Sequence, residues 1–554
     1  MMGFDRKDRE FRHPGVSYLE FKQMDMDRVL TAFLARLWHG GLPSRLARST
    51  DLTAQPFVDE FLEHPESFSG FDPETTERWV KTHLLDMVNR GKATEAVAGP
   101  RPLHGFTYRF RNSKRSRPYG ADEQLYETLF HARGDAGKQA LEHLRSFFFA
   151  GIDPNTDAVI ADAEIDVETQ ALLHLSTVRK VEDRPDSSKP RKPYPPLCRA
   201  SADLLVDDVL RLLFHKRFIP RSVLVDYLKT LFAFHLALYH LRLVKLLPNL
   251  VWYERPGIRC VRGECGTDLD QAAHGCGYPV GLFLDVAGEP GTRAAELAER
   301  SAEVWFGRIP EFVRSAYAIK KLDEFAENQA KLGKLRRPPS GLFSVTDALK
   351  LLGSARKADR TNYFDMRIRS IVEDSGGVKG ELDPEIGAIL RLGLDTFTTY
   401  VEIITAHRGP FHRGYIVDAL DSLLLKNRPG ALITQPRGGN RRFILDSRLL
   451  EVLLQVSLLG PGGPMGFHTK AMRVDEFITL LRQRYGLHIN QLPDGDGFSS
   501  ASIADRAALR SNETALATKL REIGFFTDLS DAYLTQTIRP RYTVEDPAEP
   551  EGAQ

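Results

Sequence analysis

Hydrophobic residues recur at helical spacing along most of the chain. The segment DMDRVLTAFLARLWHG puts five apolar residues on one face at i, i+3 and i+4 spacing, namely Val29, Leu30, Phe33, Leu34 and Leu37. DPETTERWVKTHLLDMVNRG starts with acidic residues and ends at a glycine, as helices commonly do. Two or three strongly apolar helices are expected over 199–247, with Ser201 as a helix cap and Pro220 between helices. The periodicity therefore predicts a mainly α-helical protein.

One N-terminal segment breaks this pattern. HGFTYRFRNSKRSRPYG alternates aromatic and basic residues, which indicates a strand and a turn. The stretch 101–117 has no acidic residue, and its candidate phosphate contacts are Arg109, Arg111, Lys114, Arg115 and Arg117. Interleaved aromatic and basic side chains suit a surface that stacks on bases and holds phosphates. The same alternation also arises when aromatic side chains face the core and basic ones face water.

The last part of the chain predicts short helices joined to hairpins. YIVDALDSLLLKN is followed by GALITQPRGGNRRFILD, two extended runs around a Pro-Arg-Gly-Gly turn. Helices are expected at 447–459, 474–485 and 512–523, and a hairpin at 525–538 that turns at 529–531. Three helices and a two-stranded ribbon predict a winged-helix region, in which the last helix usually enters the major groove of DNA.

Polar residues of this region are the candidates for DNA contact. The terminal helix, capped by Ser511 or Asn512, is expected to present outward Arg510, Asn512, Thr514 and Lys519. The arginines expected to contact phosphates from the two hairpins are Arg437, Arg441, Arg442, Arg539 and Arg541. Two alternatives stay open, because acidic residues such as Glu513 also suit a protein-docking helix, and charged turns are often merely solvated.

Length and composition indicate several domains. A chain of 554 residues is too long for one hydrophobic core. The stretch EDRPDSSKPRKPYPP is rich in proline and charge and is expected to be an extended linker. We therefore expect a mixed α/β domain at 1–181, the linker at 182–198, a central helical domain at 199–406 with a buried strand VGLFLDVAG, a single or tandem winged-helix region at 407–545, and a disordered acidic tail at 546–554.

Composition narrows the classes of function. Apolar residues make up 42% and charged residues 27%, the values of an ordinary soluble globular protein. The formal net charge is +1, so any footprint for nucleic acid must be local. Four cysteines without a pairing pattern indicate a reducing, cytoplasmic setting, and the charged N-terminus shows no signal peptide. The most apolar run, Thr230 to Leu241, is too short to span a bilayer, so no membrane partner is expected.

Metal chemistry has one candidate segment, RCVRGECGTDLDQAAHGCGYP. Cys260, Cys265, His274 and Cys276 would supply three thiolates and one imidazole to a tetrahedral zinc ion. The spacing lacks the tight C-x2-C knuckle of most structural zinc sites, so a glycine-rich loop with free thiols is the alternative. Asp285 ends a predicted strand, where sheet enzymes often place carboxylates, but no acidic partners or phosphate-binding loop accompany it. No catalytic residue is therefore predicted.

The central apolar segment resembles a known family. ADLLVDDVLRLLFHKRFIPRSVLVDYLKTLFAFHLALYHLRLVKLLPNLV, together with the later GLFLDVAG, is similar to a helix-rich subunit of the multigene bacterial methylation-associated anti-phage defence system. The resemblance rests mainly on residues 199–300 and on overall length, and its motifs are apolar. It implies a role beside a DNA methyltransferase, a specificity subunit and ATPases that act on DNA. It carries over no catalytic residue.

These observations lead to three hypotheses about function. The first is a non-enzymatic DNA-binding or assembly subunit of a bacterial anti-phage defence complex, which contacts DNA through the winged-helix and basic segments. The second is a metal-dependent nuclease or effector centred on the region from Cys260 to Asp285. The third is a pure scaffold whose helical surfaces bind sister subunits. A salt-dependent DNA titration separates the first from the third, because phosphate contacts weaken with salt.

Overall fold

The computed structural model describes residues 4–544 apart from 46–52, 65–70, 154–155, 157, 159, 161–162, 164, 179–182, 254–278, 376–381, 463–465 and 527–536. Within these residues most of the backbone is helical, and the small strands form no closed sheet. The prediction of a mainly α-helical protein with small β elements is therefore confirmed. The segment with Cys260, Cys265, His274 and Cys276, and the turn at 529–531, lie outside the described residues.

The helices follow one another along the chain with short connections. The N-terminal helices are α1 (Arg6–Arg9), α2 (Met26–Trp38), α3 (Gln55–Glu63), α4 (Pro73–Trp79), α5 (Ala121–Phe130), α6 (Ala136–Phe148) and α7 (Val167–Val178). The central helices are α8 (Arg199–Phe214), α9 (Arg221–Trp252), α10 (Arg293–Gly307), α11 (Ile309–Lys331), α12 (Val345–Lys350), α13 (Lys357–Ser375) and α14 (Pro384–Leu390). The C-terminal helices are α15 (Thr396–Leu424), α16 (Ser447–Ser457), α17 (Val474–Leu480) and α18 (Ile503–Glu522).

The strands are short and pair two by two. In chain order they are β1 (Leu85–Val88), β2 (Ala96–Pro100), β3 (Leu282–Phe283), β4 (Ile433–Thr434), β5 (Arg442–Phe443), β6 (Leu459–Pro461), β7 (Phe467–Thr469), β8 (Met472–Arg473), β9 (Leu487–His488) and β10 (Thr537–Ile538). β1 pairs with β2, β4 with β5, β6 with β7 and β8 with β10, all antiparallel, whereas β3 and β9 are parallel. The predicted hairpin around the Pro-Arg-Gly-Gly turn is confirmed as β4 and β5.

Helix α9 forms the centre of the core. It packs against α8, α11, α15 and α16, and one continuous cluster of buried apolar side chains extends from Phe4 to Ile538. Among the described residues, this is one helix that is long and apolar enough to cross a membrane, but 94% of its apolar stretch is buried inside the protein. An interior helix is the simpler explanation, because apolar side chains around its whole circumference then meet other protein. The predicted break between α8 and α9 at Pro220 is confirmed.

A buried polar cluster joins α8, α9 and the turn after α17. Asp208 is completely buried and accepts hydrogen bonds from His235 Nε2 at 2.7 Å, Tyr485 Oη at 2.9 Å and Arg484 Nε at 3.2 Å. Burial opposes ionisation, but Arg484 and His235 together lower the pKa of Asp208 to about 2. The cluster explains why charged residues are tolerated in the core, since each charged group has its partners.

Several predicted element boundaries are wrong. The first helix of DPETTERWVKTHLLDMVNRG ends early, because its last part becomes β1. The alternating stretch Gly105–Phe110 is a 3-10 helix and not a strand. Ser201 lies inside α8 and accepts a hydrogen bond from Arg242 at 2.7 Å, so it caps no helix. The terminal helix α18 is longer than expected and is capped by Ser502 with Asp505, which leaves Asn512 in its interior.

The Pro-rich segment 183–198, called the strap below, runs extended across the N-terminal helices. The backbone N–H of Arg45 donates to Arg184 O at 2.8 Å, and that of Asp186 donates to Pro43 O at 2.7 Å. Arg191 binds both carboxylate oxygens of Glu127 at 2.6 and 2.9 Å. The extended conformation follows from its prolines, and these contacts hold it against the fold. The division of the chain into domains stays a prediction.

Candidate anion-binding cleft

An open cleft of about 910 Å³ lies between the strap and the N-terminal elements. Its base includes Arg111, the residue that follows the 3-10 helix. The backbone here is held by β2, because the N–H of Asn112 donates to Ala98 O at 2.7 Å. Gly99 permits this approach, since a Cβ at that position would lie 3.0 Å from Cα of Arg111. The close contact with β2 therefore fixes where the Arg111 side chain starts.

A tight turn at 118–120 forms another part of the cleft. Tyr119 has φ of +52° and Gly120 has φ of +83°, so two consecutive residues are left-handed. Gly120 is required because a Cβ would lie 2.1 Å from Tyr18 O. Glu20 N–H donates to Tyr119 O at 2.8 Å, which ties the turn to the N-terminal segment. The turn holds the ring of Tyr119 in the lining of the cleft, and strained non-glycine backbone of this kind often lies at binding sites.

The strap supplies the rim of the cleft. Its first residue, Asp183, accepts hydrogen bonds from His39 Nε2 at 2.8 Å, from Tyr108 Oη and from Arg109 Nε at 3.2 Å. Farther along, Tyr18 Oη donates to Lys192 O at 2.5 Å and accepts from the N–H of Tyr194 at 2.9 Å. The strap is thus anchored at both ends, and its exposed lysines are held beside the opening.

Positive charge dominates this lining. Eight lysine and arginine side chains face five carboxylates: Arg12, Arg36, Arg45, Arg111, Arg117, Lys189, Lys192 and Lys320 against Glu10, Glu20, Asp122, Glu123 and Asp186. Four of the carboxylates are already neutralised. Arg36 pairs with Asp122 and Glu123 at 2.6 and 2.9 Å. Arg12 pairs with Glu10 and Glu20 at 3.2 and 3.8 Å. The remaining cations give the cleft a net positive potential.

Arg111 is the cation that the protein itself compensates least. It is half-buried, and the hydrogen bond from its Nη2 to Ser44 O is long, at 3.4 Å. Within the described part of the chain, no carboxylate lies within ion-pair distance of its guanidinium. Burial lowers the pKa of Arg111, against the attraction of the more distant Asp122. A desolvated guanidinium in a cleft is chemically suited to an anion with two acceptor oxygens.

The structure separates the predicted contacts of the N-terminal basic stretch. Arg111 and Arg117 line the cleft, and Lys114 is exposed nearby in sequence. Arg109 is taken up by Asp183 and stacks on the Phe106 ring at 3.8 Å, so it is a structural residue. Arg115 is half-buried and is held by protein contacts. The aromatic side chains of the stretch face the core, as the second interpretation of the alternation expects.

The arginine-rich hairpin is mostly engaged by its own protein. Arg437 is exposed at the tip. Arg441 pairs with Asp421 at 2.6 Å, which removes it from a DNA-facing role. Arg442 is 4% exposed, donates to Gly288 O at 2.7 Å and lies 3.4 Å from Asp285. Asp285 is itself completely buried and accepts from the N–H of Gly288 at 2.9 Å, so its role is structural.

The polar residues of α18 are also divided between interior and surface. Asn512 is 1% exposed and bonds to the backbone of β3 and to Ile489 O. Lys519 donates to Leu445 O at 2.6 Å and Val286 O at 3.1 Å. The expectation that Asn512 and Lys519 face DNA bases is therefore wrong, because neighbouring elements cover this side of the helix. Arg510 and Thr514 remain exposed.

The final basic residues also differ in their surroundings. Arg539 is exposed, while Arg541 pairs with Glu451, donates to Ile523 O at 2.6 Å and stacks on Phe525 at 4.5 Å. None of these residues, nor any from the hairpin or α18, lines the cleft. The predicted basic segments therefore do not form one surface around the terminal helix.

The pattern of the sequence did not identify several residues of the cleft. Arg45 lies next to a β-bridge between Ser44 and Pro185, and Lys189 and Lys192 belong to the strap. The only signal was the density of lysine, arginine and proline in the strap, which was interpreted as a linker. It is the packing of the strap against residues 43–45 that brings these cations near Arg111.

One described group has the composition of a metal site. Asp383, Glu385 and His407 bring possible ligand atoms within 4.8 Å of one another. Asp383 is already the cap of α14, where it accepts from the N–H of Glu385 at 2.9 Å, and Glu385 is exposed. Helix capping and solvent account for these carboxylates.

Comparison with protein families gives one match that covers nearly the whole chain. The family model described as "Methylation-associated defense system protein MAD7" matches residues 6–542. No curated protein matches the chain well enough to count as a relative.

Proposed function

The chain belongs to the methylation-associated defense system protein MAD7 family, and we propose that it serves that defence system as a non-enzymatic subunit that binds the phosphate backbone of nucleic acid in the N-terminal cleft. The resemblance of the central apolar segment to this family is confirmed by the match over residues 6–542. The observation that carries the proposal is the under-compensated guanidinium of Arg111 inside a cleft with excess positive charge.

Phosphate binding suits this cleft for an electrostatic reason. A polyanion releases counterions when lysines and arginines neutralise its phosphates, so a local group of cations suffices even in a chain with a net charge of +1. Arg45, Arg117, Lys189 and Lys192 are exposed and line the opening. Such contacts position the nucleic acid without reading its sequence. Sequence choice would then belong to another subunit of the system.

We infer a packing role for the C-terminal region. The order α16, β8, α17, α18, the Phe526–Ile538 bridge and β10 supports the winged-helix interpretation of 447–544. The helix that would read DNA in such a unit uses Asn512 and Lys519 to hold β3 and the hairpin instead. Its exposed side, with Arg510 and Thr514, suits contact with a sister subunit. The region therefore supports assembly more than base recognition.

A titration over salt concentration tests the cleft. The ligand is a fluorescent DNA duplex with a single-stranded overhang, and the salt is varied between roughly 50 and 200 mM, the range where phosphate contacts weaken steeply. Two variants that each remove three positive charges are compared. The cleft variant combines R117A, K189A and K192A, and the control variant combines R437A, R510A and R539A.

We expect the cleft variant to bind with lower affinity, and its salt slope to fall by about 1 for each phosphate that the protein no longer neutralises. The control variant should bind like the wild type, because its charges lie outside the cleft. If the control variant shows the weaker binding, the interface is C-terminal. If the wild type shows no salt-dependent binding, the chain is an assembly subunit and the proposal fails.

A further inference from the structure

The charge of the cleft lies in a concave surface. Proteins that read duplex DNA place a convex helix or ribbon into a groove about 12 Å wide. Here the relation is reversed, because the cations of 111–117 and of the strap surround an opening. Proteins that bind a single strand use such a positively charged groove together with aromatic side chains. The volume of about 910 Å³ is that of a pocket for small ligands or a short stretch of strand.

An aromatic ring and a desolvated cation occur together in this lining. Tyr119 is half-buried and is held by the left-handed turn with Gly120. Its ring packs partly against the core and partly lines the cleft, with Lys22 Nζ at 5.4 Å from the ring centroid. Arg111 lies in the same lining, and among the described residues no carboxylate is within ion-pair distance of it. A base offers a π face to a tyrosine, and a phosphodiester offers two oxygens to a guanidinium.

We propose that the cleft binds an unpaired polynucleotide strand, with Arg111 on a phosphodiester group and Tyr119 stacked on a neighbouring base. This inference rests on the proposed function and names the ligand class of that site. The rim cations Arg117 and Lys192 follow the strand where it leaves the cleft. A paired base cannot stack on Tyr119 because both of its faces are covered in a duplex, so a duplex reaches only the rim.

The test compares three DNA ligands: a single strand of about 16 nucleotides, which matches the upper site size of single-strand modules, a blunt duplex of the same sequence, and a nucleoside triphosphate alone. Binding is measured by fluorescence anisotropy at fixed salt, the triphosphate by competition. The variants are R111Q, R111K and Y119A, with Y119F as the matched control that keeps the ring. Thermal unfolding of each variant shows whether it remains folded.

We expect the wild type to prefer the single strand over the duplex by at least about tenfold, the effect of one or two stacked bases. R111Q and Y119A should each weaken single-strand binding by about tenfold, while duplex binding changes less. R111K should recover part of the affinity, because it restores charge without the bidentate geometry. Y119F should bind like the wild type, since the ring carries the stacking.

Each other outcome contradicts the inference in a distinct way. Equal binding of single strand and duplex, with R111Q and Y119A unchanged, removes the strand inference but keeps the phosphate-binding function. Competition by the triphosphate at equal or higher affinity identifies a nucleotide site instead. Absence of salt-dependent binding to every DNA ligand removes the proposed function itself.

Discussion

The Oδ1 atom of Asn512 accepts a hydrogen bond from the backbone N–H of Val286 at 2.8 Å. The amide nitrogen of the same side chain donates to Leu284 O at 2.8 Å and Ile489 O at 2.9 Å. A single buried side chain on α18 thus satisfies backbone groups at the ends of β3 and β9. Strands of only two residues have few ladder bonds of their own, so this amide stabilises their pairing.

Replacement of Asn512 tests this packing role. N512A leaves three buried backbone groups without partners, so we expect a decrease of roughly 3 kcal/mol in the free energy of unfolding. T514A, at an exposed position on the same helix, should change it by less than about 0.5 kcal/mol. Chemical denaturation measures both. Unchanged stability of N512A together with weaker DNA binding would show that the side chain reads DNA after all.

The turn that carries Tyr119 should tolerate no side chain at its second position. In G120A the new Cβ would lie 2.1 Å from Tyr18 O, at φ of +83°. G40A also has a positive φ, +61°, but its Cβ would meet no atom within 4 Å. We expect G40A to cost about 1 kcal/mol from backbone strain alone, and G120A to cost several times as much by displacing Tyr18. Comparable melting temperatures for the two variants would contradict the close approach.

The strap should loosen when its buried ion pair is broken. Glu127, whose side chain is 1% exposed, binds Arg191, which also stacks on the Phe130 ring at 3.9 Å. We expect E127Q to increase amide hydrogen exchange over 183–198, because it leaves Arg191 without its carboxylate. E77Q, which breaks an exposed pair with Lys81, serves as the control. Exchange in the strap that is the same in both variants would show that the Arg191–Glu127 pair does not hold it.

Acid should destabilise the fold through buried histidines. His240 is 2% exposed and bonds to Ser17 and Leu236 O, and burial lowers its pKa from 6.5 to about 4. The unfolded chain therefore binds the proton more readily. The stabilising contribution of the neutral ring is complete above pH 6.5 and disappears as the pH falls towards 4. For one group this amounts to at most roughly 3 kcal/mol.

The measurement is the melting temperature between pH 7 and pH 4. H240Q keeps a donor and an acceptor but no titrating group, so we expect its melting temperature to fall less steeply than that of the wild type. The wild type retains further buried histidines with lowered pKa values, His104, His412 and His488, and a residual slope is therefore expected. H143Q, at an exposed position, controls for removal of an imidazole. An identical slope in H240Q and the wild type would contradict a neutral, buried His240.

Local pattern was sufficient for much of the secondary structure and for the family. The apolar run of α9, the break at Pro220, the buried strand β3 and the hairpin of β4 and β5 all depend on residues close together in the chain. Backbone preferences and hydrophobic periodicity act over a few residues, so the sequence determines these elements directly. The long apolar segment also carried the resemblance to the defence-system family.

Periodicity was insufficient where the environment comes from distant residues. The spacing along α18 places Asn512 and Lys519 on a polar flank, but only β3, β9 and the residue after β5 decide that this flank is covered. Likewise, the composition of the strap predicts a solvated linker, and only its contacts with residues 43–45 and Glu127 hold it against the fold. A helical wheel relates a side chain to its own axis and contains no information about what packs on it.

The sequence by itself therefore determined which segments are helices, which are apolar enough to form the core, and which family the chain resembles. The tertiary structure decided which cations are neutralised by carboxylates of the protein and which remain for a ligand. The physical reason is that ion pairing and desolvation depend on distances between groups that are far apart in sequence. Arg109 and Arg111 are two positions apart in the chain, yet one is neutralised by Asp183 and the other remains under-compensated in the cleft.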